Sequence, residues 1–380
     1  MNPSTSGANL PALRSHNAAL VLDLLRAATL AAPGADRGIS RLELAERTGL
    51  TPQAVSKITA RLRADGLVEE AGRRASTGGK PRTELRLAVT ARYAVGVHLD
   101  GERLTAVLTD LAGRTVADRE APLDLGLPVG DALDAIVDEV RRTAAAAPGA
   151  VLGVGVGMRG PLDHRTGTLH RVTGFPHWAG VPLRTTLSTR LHLPVALDKN
   201  TNAAALSVLA EATPRVPSVE SAPGDAGASF AYLHLGTGLG AALVLGGGLF
   251  RGGRTGAGEF GHQVVELDGP LCKCGNRGCL EALCLAAVGR GDVAGAARLL
   301  GVGAANLVAL LDIDRVVLGG RTVLADKAVF AEGVAAVLAE RAGPAAAPVP
   351  VAFAAAGPRA VAEGAALLAL APLYGHAALG

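Results

Sequence analysis

Aromatic residues are scarce: one Trp, three Tyr and six Phe make up 3% of 380 residues. Platforms for single-stranded nucleic acid stack bases on aromatic rings, so that class of function is excluded. Lysine occurs only five times, and arginine carries most of the positive charge. With abundant Ala and Gly, this reflects genomic base composition more than chemistry. There are four cysteines, Cys272, Cys274, Cys279 and Cys284, crowded into thirteen residues. A secreted disulfide framework would spread them along the chain, so the crowding points to a metal site in a reducing compartment. No basic start followed by an apolar run opens the chain, and no signal peptide is expected. The most apolar stretch, 228–250, is broken by glycines and carries His234, so it reads as buried strands joined by a Gly turn. The expectation is a soluble cytoplasmic protein with no membrane partner.

What is present is core material. Hydrophobic residues reach 49% against 19% charged, which excludes a disordered chain, and the length suits two or three domains. The net charge of +3 is unevenly divided: residues 1–90 hold 13 Lys+Arg and 8 Asp+Glu, residues 91–380 hold 24 and 26. A small basic module therefore precedes a nearly neutral body.

The basic module reads as three helices and a hairpin, after a disordered tail over 1–15. Leu20, Val21, Leu24, Leu25 and Ala28 give Asn17–Thr29 a helical stripe. Ser40, with Glu43 three residues on, forms a capping box for a short helix to Thr48, and Gly49-Leu50 makes a tight turn. Thr51 caps a third helix with Pro52 at its first position, and Gly66 stops it. Two short strands, Leu67–Ala71 and Thr83–Val89, flank a loop with Gly78, Gly79 and Pro81. This is the order of a winged helix-turn-helix spanning 16–90. Thr51, Gln53, Ser56 and Lys57 would meet base edges in a major groove, and Arg74, Lys80 and Arg82 of the wing would grip phosphate or a minor groove. A basic loop used for protein contacts is the alternative.

From Tyr93 strand-like and helical segments alternate, giving an α/β body over 91–380 with lobes of about 91–200 and 201–380. Its strongest local signal is Gly261-His262 followed by Cys272-Lys-Cys274-Gly-Asn-Arg-Gly-Cys279. One His and three Cys supply the four soft ligands of a structural zinc, with no position left for a catalytic water. Cys284 sits between leucines and reads as a buried apolar residue.

The run Gly236-Thr-Gly-Leu-Gly240, then Gly258-Glu-Phe-Gly-His262, then Cys272-x-Cys-Gly-x-x-Gly-Cys-Leu-Glu281 resembles the ROK family, which holds bacterial sugar kinases and winged-helix repressors. The resemblance implies a two-lobed actin/hexokinase-like (ribonuclease H-like) body behind the winged helix-turn-helix. It also implies that Glu259, His262 and Glu281 hydrogen-bond sugar hydroxyls. Kinases of the family open the body with an Asp-x-Gly-Gly-Thr-Lys phosphate loop. Here His98-Leu99-Asp100-Gly101-Glu102-Arg103 stands there, and its two carboxylates would repel a nucleotide phosphate. The family's catalytic Asp is Asn200, an amide that cannot accept the hydroxyl proton. Fewer residues than usual for the family separate Glu281 from Val316, which implies a deletion in the lobe that covers nucleotide. No ATP binding and no catalytic residue are therefore expected.

Lys199 and Arg159 would add positive charge beside the sugar site, unless Lys199 pairs with a neighbour such as Asp198. Spare positive charge would favour a sugar phosphate or acidic sugar as effector. The reading is a homodimeric or homotetrameric regulator, a repressor of carbohydrate-metabolism genes, that binds an inverted repeat in double-stranded DNA and senses a sugar or sugar phosphate. A DNA-binding scaffold without effector and a sugar kinase carrying a DNA-binding module are the rival readings.

Overall fold

The structure, a computed structural model, describes residues 10–31, 38–74, 82–212, 229–342 and 347–375. Helix α1 (Leu10–Ala31) begins inside the stretch expected to be a tail, so residues 10–15 are helical. Strand β1 (Ile39–Ser40) leads into α2 (Arg41–Thr48), whose N-cap Ser40 accepts the Glu43 N–H at 3.2 Å. Glu43 does not complete a capping box among the bonds seen; its carboxylate faces Arg47 at 3.8 Å. Gly49 takes φ of 70° to turn the chain, and Thr51 caps α3 (Pro52–Ala64) by accepting the Ala54 N–H at 3.2 Å. Strands β2 (Val68–Arg74) and β3 (Arg82–Leu87) form the wing, with β1 on the far side of β3.

The body consists of two sheets built to one plan. In the first, β4 (Arg92–Leu99), β5 (Arg103–Asp110) and β6 (Thr115–Pro122) run antiparallel, and β7 (Ala150–Met158) adds to β4 in parallel. Helix α4 (Val129–Ala144) precedes β7; the small pair β8 (Leu162–Asp163) and β9 (Thr168–Leu169) and helix α5 (Leu183–Leu191) follow it. Strand β10 (Val195–Lys199) then joins β7 in parallel. After α6 (Asn200–Ala212) the second sheet repeats the plan: β11 (Phe230–Leu235), β12 (Leu239–Leu245) and β13 (Gly248–Phe250) are antiparallel. Strand β14 (Arg315–Gly319) is parallel to β11, and β15 (Val351–Phe353) is parallel to β14. The interval between β13 and β14 holds α7 (Leu280–Gly289) and α8 (Val293–Leu311). Helices α9 (Arg321–Ala325) and α10 (Lys327–Arg341) follow β14, and α11 (Ala360–Leu370) ends the lobe.

Among the described residues, helix α8 is the one helix long and apolar enough to cross a membrane by length and composition. It buries Ala296, Ala297, Leu300 and Ala304 in the core of the second lobe, packed with Phe330, Val334 and Val337 of α10. A core helix passes the same test as a span.

The lobe boundary expected near residue 200 needs correction, because the chain crosses back. Helix α11 packs on β4 and β7 of the first sheet and against α6, so the C-terminal segment belongs to the seam between the lobes. Nine of its residues are buried, small Ala and Gly among them. A Cβ on Gly155 would stand 1.7 Å from the Ala365 carbonyl, and one on Gly96 1.9 Å from that of Ala362. Helix α1 in turn docks on the body. Val21, Leu24 and Leu25 share one core with Leu44, Val55 and Leu85 of the N-terminal module and with Leu111, Leu370 and Tyr374 of the body.

Gly155→Ala is expected to destabilise the fold by at least about 1–3 kcal/mol, because the clash is with backbone that cannot yield locally. Gly130→Ala, on an open helix position with nothing within 4 Å, serves as the control and is expected to be neutral or slightly stabilising. Urea unfolding of both variants checks this; equal midpoints would contradict the packing described.

Candidate effector cleft, metal centre and nucleic-acid interface

The ends of β7 and β10 on the first lobe and the β11–β12 turn on the second face each other across a cleft. Lys199, Asn200, Glu259, His262 and Glu281 all line it, with Asp100, Arg159, His234 and Thr237. Gly258 lets the Glu259 loop lie on β12: its φ is 85°, and a Cβ there would stand 2.0 Å from the Ala241 carbonyl.

Several of these side chains are already committed. The Glu281 carboxylate, in the first turn of α7, accepts the Leu239 N–H at 2.8 Å, so one oxygen fixes the β11–β12 turn and the other stays available. Lys199 is buried, donates to the Ala257 carbonyl and pairs with Glu259 at 3.3 Å. Its partner is Glu259 and not Asp198. The spare positive charge expected from Lys199 is therefore absent, and three carboxylates (Asp100, Glu259, Glu281) face two cations (Arg159, Lys199) around the cleft. Arg321, 3.9 Å from Asp100, balances the third carboxylate, so a phosphate or carboxylate on a ligand would meet no spare positive charge.

The side chains at the positions that the resemblance assigns to kinase chemistry are engaged in hydrogen bonds. Asn200 opens α6, and its Oδ1 accepts the Thr201 N–H at 2.9 Å. Asp198 is fully buried and saturated: Arg251 donates to Oδ2 at 2.7 Å, while Asn202 and the Lys199 N–H donate to Oδ1, each at 2.7 Å. It cannot stand in as a base. Asp163 caps its own turn, accepting from the Arg165 N–H and the Thr166 hydroxyl, and does not line the cleft. Where a nucleotide phosphate would lie, Thr237 donates to Asp100 Oδ1 at 3.2 Å and accepts from Arg159 at 2.9 Å. Arg321 donates to Glu102 at 2.7 Å.

Three polar residues at this seam were not singled out by sequence reasoning: His234, Thr237 and Arg321. His234 was legible only as an imidazole in an apolar strand, and Arg321 carries no local signal. His98 and His234 meet edge to face, ring centroids 5.9 Å apart. Burial holds the His98 pKa down to about 4, only partly opposed by Asp100, and burial also lowers that of His234. Both imidazoles are neutral at neutral pH.

The His/Cys cluster converges. One ligand atom from each of His262, Cys272, Cys274 and Cys279 lies within 4.8 Å of the others, and the four could hold a metal ion. Cys274 and Cys279 sulfurs are 3.7 Å apart, and Cys272 Sγ lies 3.8 Å from His262 Nδ1. A tetrahedral ion with bonds of about 2.3 Å to sulfur needs sulfur–sulfur edges of about 3.8 Å, so the donors fit zinc. Burial, then the neighbouring thiols, pushes Cys279 up to about 12. Cys284 lies apart, buried under α8 with its sulfur facing the Ala296 carbonyl, as an apolar residue would.

In the N-terminal module Val55, Thr59 and Leu62 of α3 turn inward, leaving Gln53, Ser56, Lys57, Ala60 and Arg61 exposed on the outer face. Thr51 is exposed too, but its oxygen already serves the cap. Arg74 and Arg82 pair across the wing hairpin, and Lys80 lies outside the described residues. Arg86 is bound to Glu69 at 2.7 Å, so it adds no free charge to the wing.

Comparison with known proteins agrees with this architecture. Residues 94–291 match the ROK family and residues 34–69 a winged helix-turn-helix DNA-binding family. A xylose repressor of Caldicellulosiruptor bescii is 29% identical over 248 residues, 64% of this chain and 59% of the repressor. The match thus spans less than two thirds of that relative. A crystal structure of a ROK family transcriptional regulator, described as a homologue of the E. coli MLC protein, superposes with a TM-score of 0.72 over 96% of this chain and 97% of that one, at 21% identity. A ROK hexokinase from Thermus thermophilus superposes with a TM-score of 0.54 at 30% identity, over 72% of this chain and 97% of the hexokinase. With the winged helix-turn-helix ahead of two like-built lobes, and the ROK match covering just over half its residues, the chain belongs to the ROK family.

Proposed function

We propose that this protein is a DNA-binding transcriptional regulator, a repressor of sugar-metabolism genes, whose kinase-like body senses a sugar and no longer phosphorylates one. The observation that carries this reading is the replacement of the kinase parts by a bonded side-chain network beside a cleft that keeps its polar lining. Asn200 stands at the base position, and the Asp100–Thr237–Arg159 and Glu102–Arg321 contacts occupy the phosphate position. The likeness to a xylose repressor supports a sugar-responsive role.

The exposed face of α3 would lie in the major groove, with Gln53, Ser56 and Lys57 toward base edges and Arg74, Lys80 and Arg82 toward the backbone. Domains of 16–90 and 91–380 would divide the labour, with α11 returning to the first lobe. A homodimer or homotetramer would present two such modules to an inverted repeat, in the cytoplasm where DNA is. The balance of charge in the cleft favours a neutral sugar over the sugar phosphate suggested by Lys199 and Arg159 alone. Glu259, His262, Glu281 and Asn200 would bond its hydroxyls. Zinc on His262 Nδ1 and the three thiolates would fix the imidazole so that its other nitrogen meets the ligand.

A route from cleft to DNA runs through the shared core. Buried Arg26 of α1 donates to the Ala112 carbonyl at 2.9 Å and lies over the Tyr374 ring, whose hydroxyl donates to the Leu111 carbonyl at 2.6 Å. A ligand that closes the lobes would shift α11 and, with it, the seat of α1.

Gln53→Ala is expected to weaken binding to the promoter region beside the protein's own gene by about 1–3 kcal/mol while leaving random-sequence DNA little changed. Fluorescence anisotropy on both duplexes checks it; equal loss on both, or none, would count against α3 as the reading helix. Thermal unfolding in the presence of ligand panels tests the cleft. Protection by a neutral sugar and none by its phosphate is expected, and the reverse order would overturn the charge argument. Cys274→Ser is expected to carry one zinc equivalent fewer than the parent chain by elemental analysis and to unfold at a lower temperature. Unchanged zinc would rule out the cluster as the site.

A further inference from the structure

We propose a second metal site, distinct from the cysteine cluster: His98 and Asp100 of the first lobe and His234 of the second form a two-imidazole, one-carboxylate site for a first-row divalent transition metal ion, placed where it would tie the lobes together. One ligand atom from each of the three residues lies within 4.8 Å of the others. His98 lies one residue before the end of β4, ahead of the loop that carries Asp100, and His234 comes from β11, so the three converge only because the sheets face each other.

The second observation is an orphaned donor set. His98 is buried, 7% exposed, and among the described residues its Nε2 has no hydrogen-bond partner. A buried polar nitrogen without a partner costs free energy unless something fills the role. A metal ion does so when the nitrogen carries a lone pair, and His98 is neutral. His234 is oriented for the same task. Its Nδ1 lies 3.3 Å from the Tyr232 hydroxyl; with Nδ1–H donating to that oxygen, Nε2 keeps the lone pair that ligates. Burial keeps Tyr232 a neutral phenol.

The donor chemistry selects the ion. Two imidazoles with one carboxylate suit zinc, cobalt, nickel or iron(II), and are poor for the all-oxygen preferences of calcium and magnesium. Three protein ligands leave at least one position for water or for a ligand atom from the cleft, which shares Asp100 and His234 as lining. Opposing charge is present too: Arg321 stands 3.9 Å from Asp100 Oδ2, and Asp100 Oδ1 already takes the Thr237 hydroxyl. Arg321 has a second partner in Glu102 at 2.7 Å and can release Asp100 without being stranded. The site is therefore weaker than the three-thiolate cluster and fills after it.

Cobalt(II) titration of the full-length, metal-stripped chain at neutral pH tests this, because the two sites differ in colour. The cysteine cluster gives intense thiolate-to-cobalt charge transfer; the imidazole–carboxylate site gives only weak ligand-field bands. The parent chain is expected to take up two equivalents, the first with charge transfer and the second without it. His98→Asn and His234→Asn are each expected to lose the second equivalent and keep the first, while Cys274→Ser loses the charge transfer and keeps the weak bands. Uptake of a single equivalent by the parent chain would overturn the proposal without any variant having to fold. A second equivalent retained by both histidine variants would overturn it as well.

Discussion

The arrangement rests on the contact between helix α11 and the first sheet. Gly96 on β4 and Gly155 on β7 have no room for a side chain against the α11 backbone, and Gly364 has none against Ala203 of α6. Backbone packed this closely has no slack, so α11 moves with what it touches. Its first turn carries Val361, which borders the seam near His98 and His234, and its far end delivers Leu370 and Tyr374 into the core of the DNA module. The two ends of one short helix thus reach the two places where a regulator must act. A longer side chain at any of the three glycines would separate the lobes and blunt that relation.

The same seam gathers charge from both lobes. Phosphate-binding loops are cradles for negative charge, and here carboxylates stand in them, neutralised by side chains from across the cleft. Asp100 is met by Thr237 and Arg321, and Glu102 by Arg321. Arg321 of the second lobe thus bridges to Asp100 and Glu102 of the first. Such contacts are weak enough, each of the order of 1 kcal/mol when part-exposed, for a ligand to rearrange them.

Local chemistry was the part of the molecule open to reading from residues alone. The Ser40 and Thr51 caps, the Gly49 turn and the Cys272–Cys279 spacing announce themselves within a few positions, and each forms the local geometry its chemistry requires. Helix α11 was missed because it is buried on nearly all sides, and Ala- and Gly-rich sequence without a polar face shows no period. The start of α1 was missed because Pro11 and polar neighbours resemble a tail. The identity of Lys199's partner was decided by folding: Glu259 is sixty residues away, while the adjacent Asp198 turns inward to Arg251. His98 and His234 come from strands in two different sheets and Arg321 from the start of α9, a relation that no window of sequence contains.

The central claim is that occupancy of the cleft is transmitted to the DNA module. The direct test is the affinity of the full-length, zinc-loaded chain for its own promoter region, measured by anisotropy at fixed moderate salt while neutral sugars, xylose among them, are added one at a time. The account predicts that one sugar changes that affinity 5–150-fold, the effect of about 1–3 kcal/mol of coupling, and that added ATP neither alters the response nor is consumed. A sugar that binds the protein without moving its affinity for DNA, or one that is phosphorylated, would contradict it.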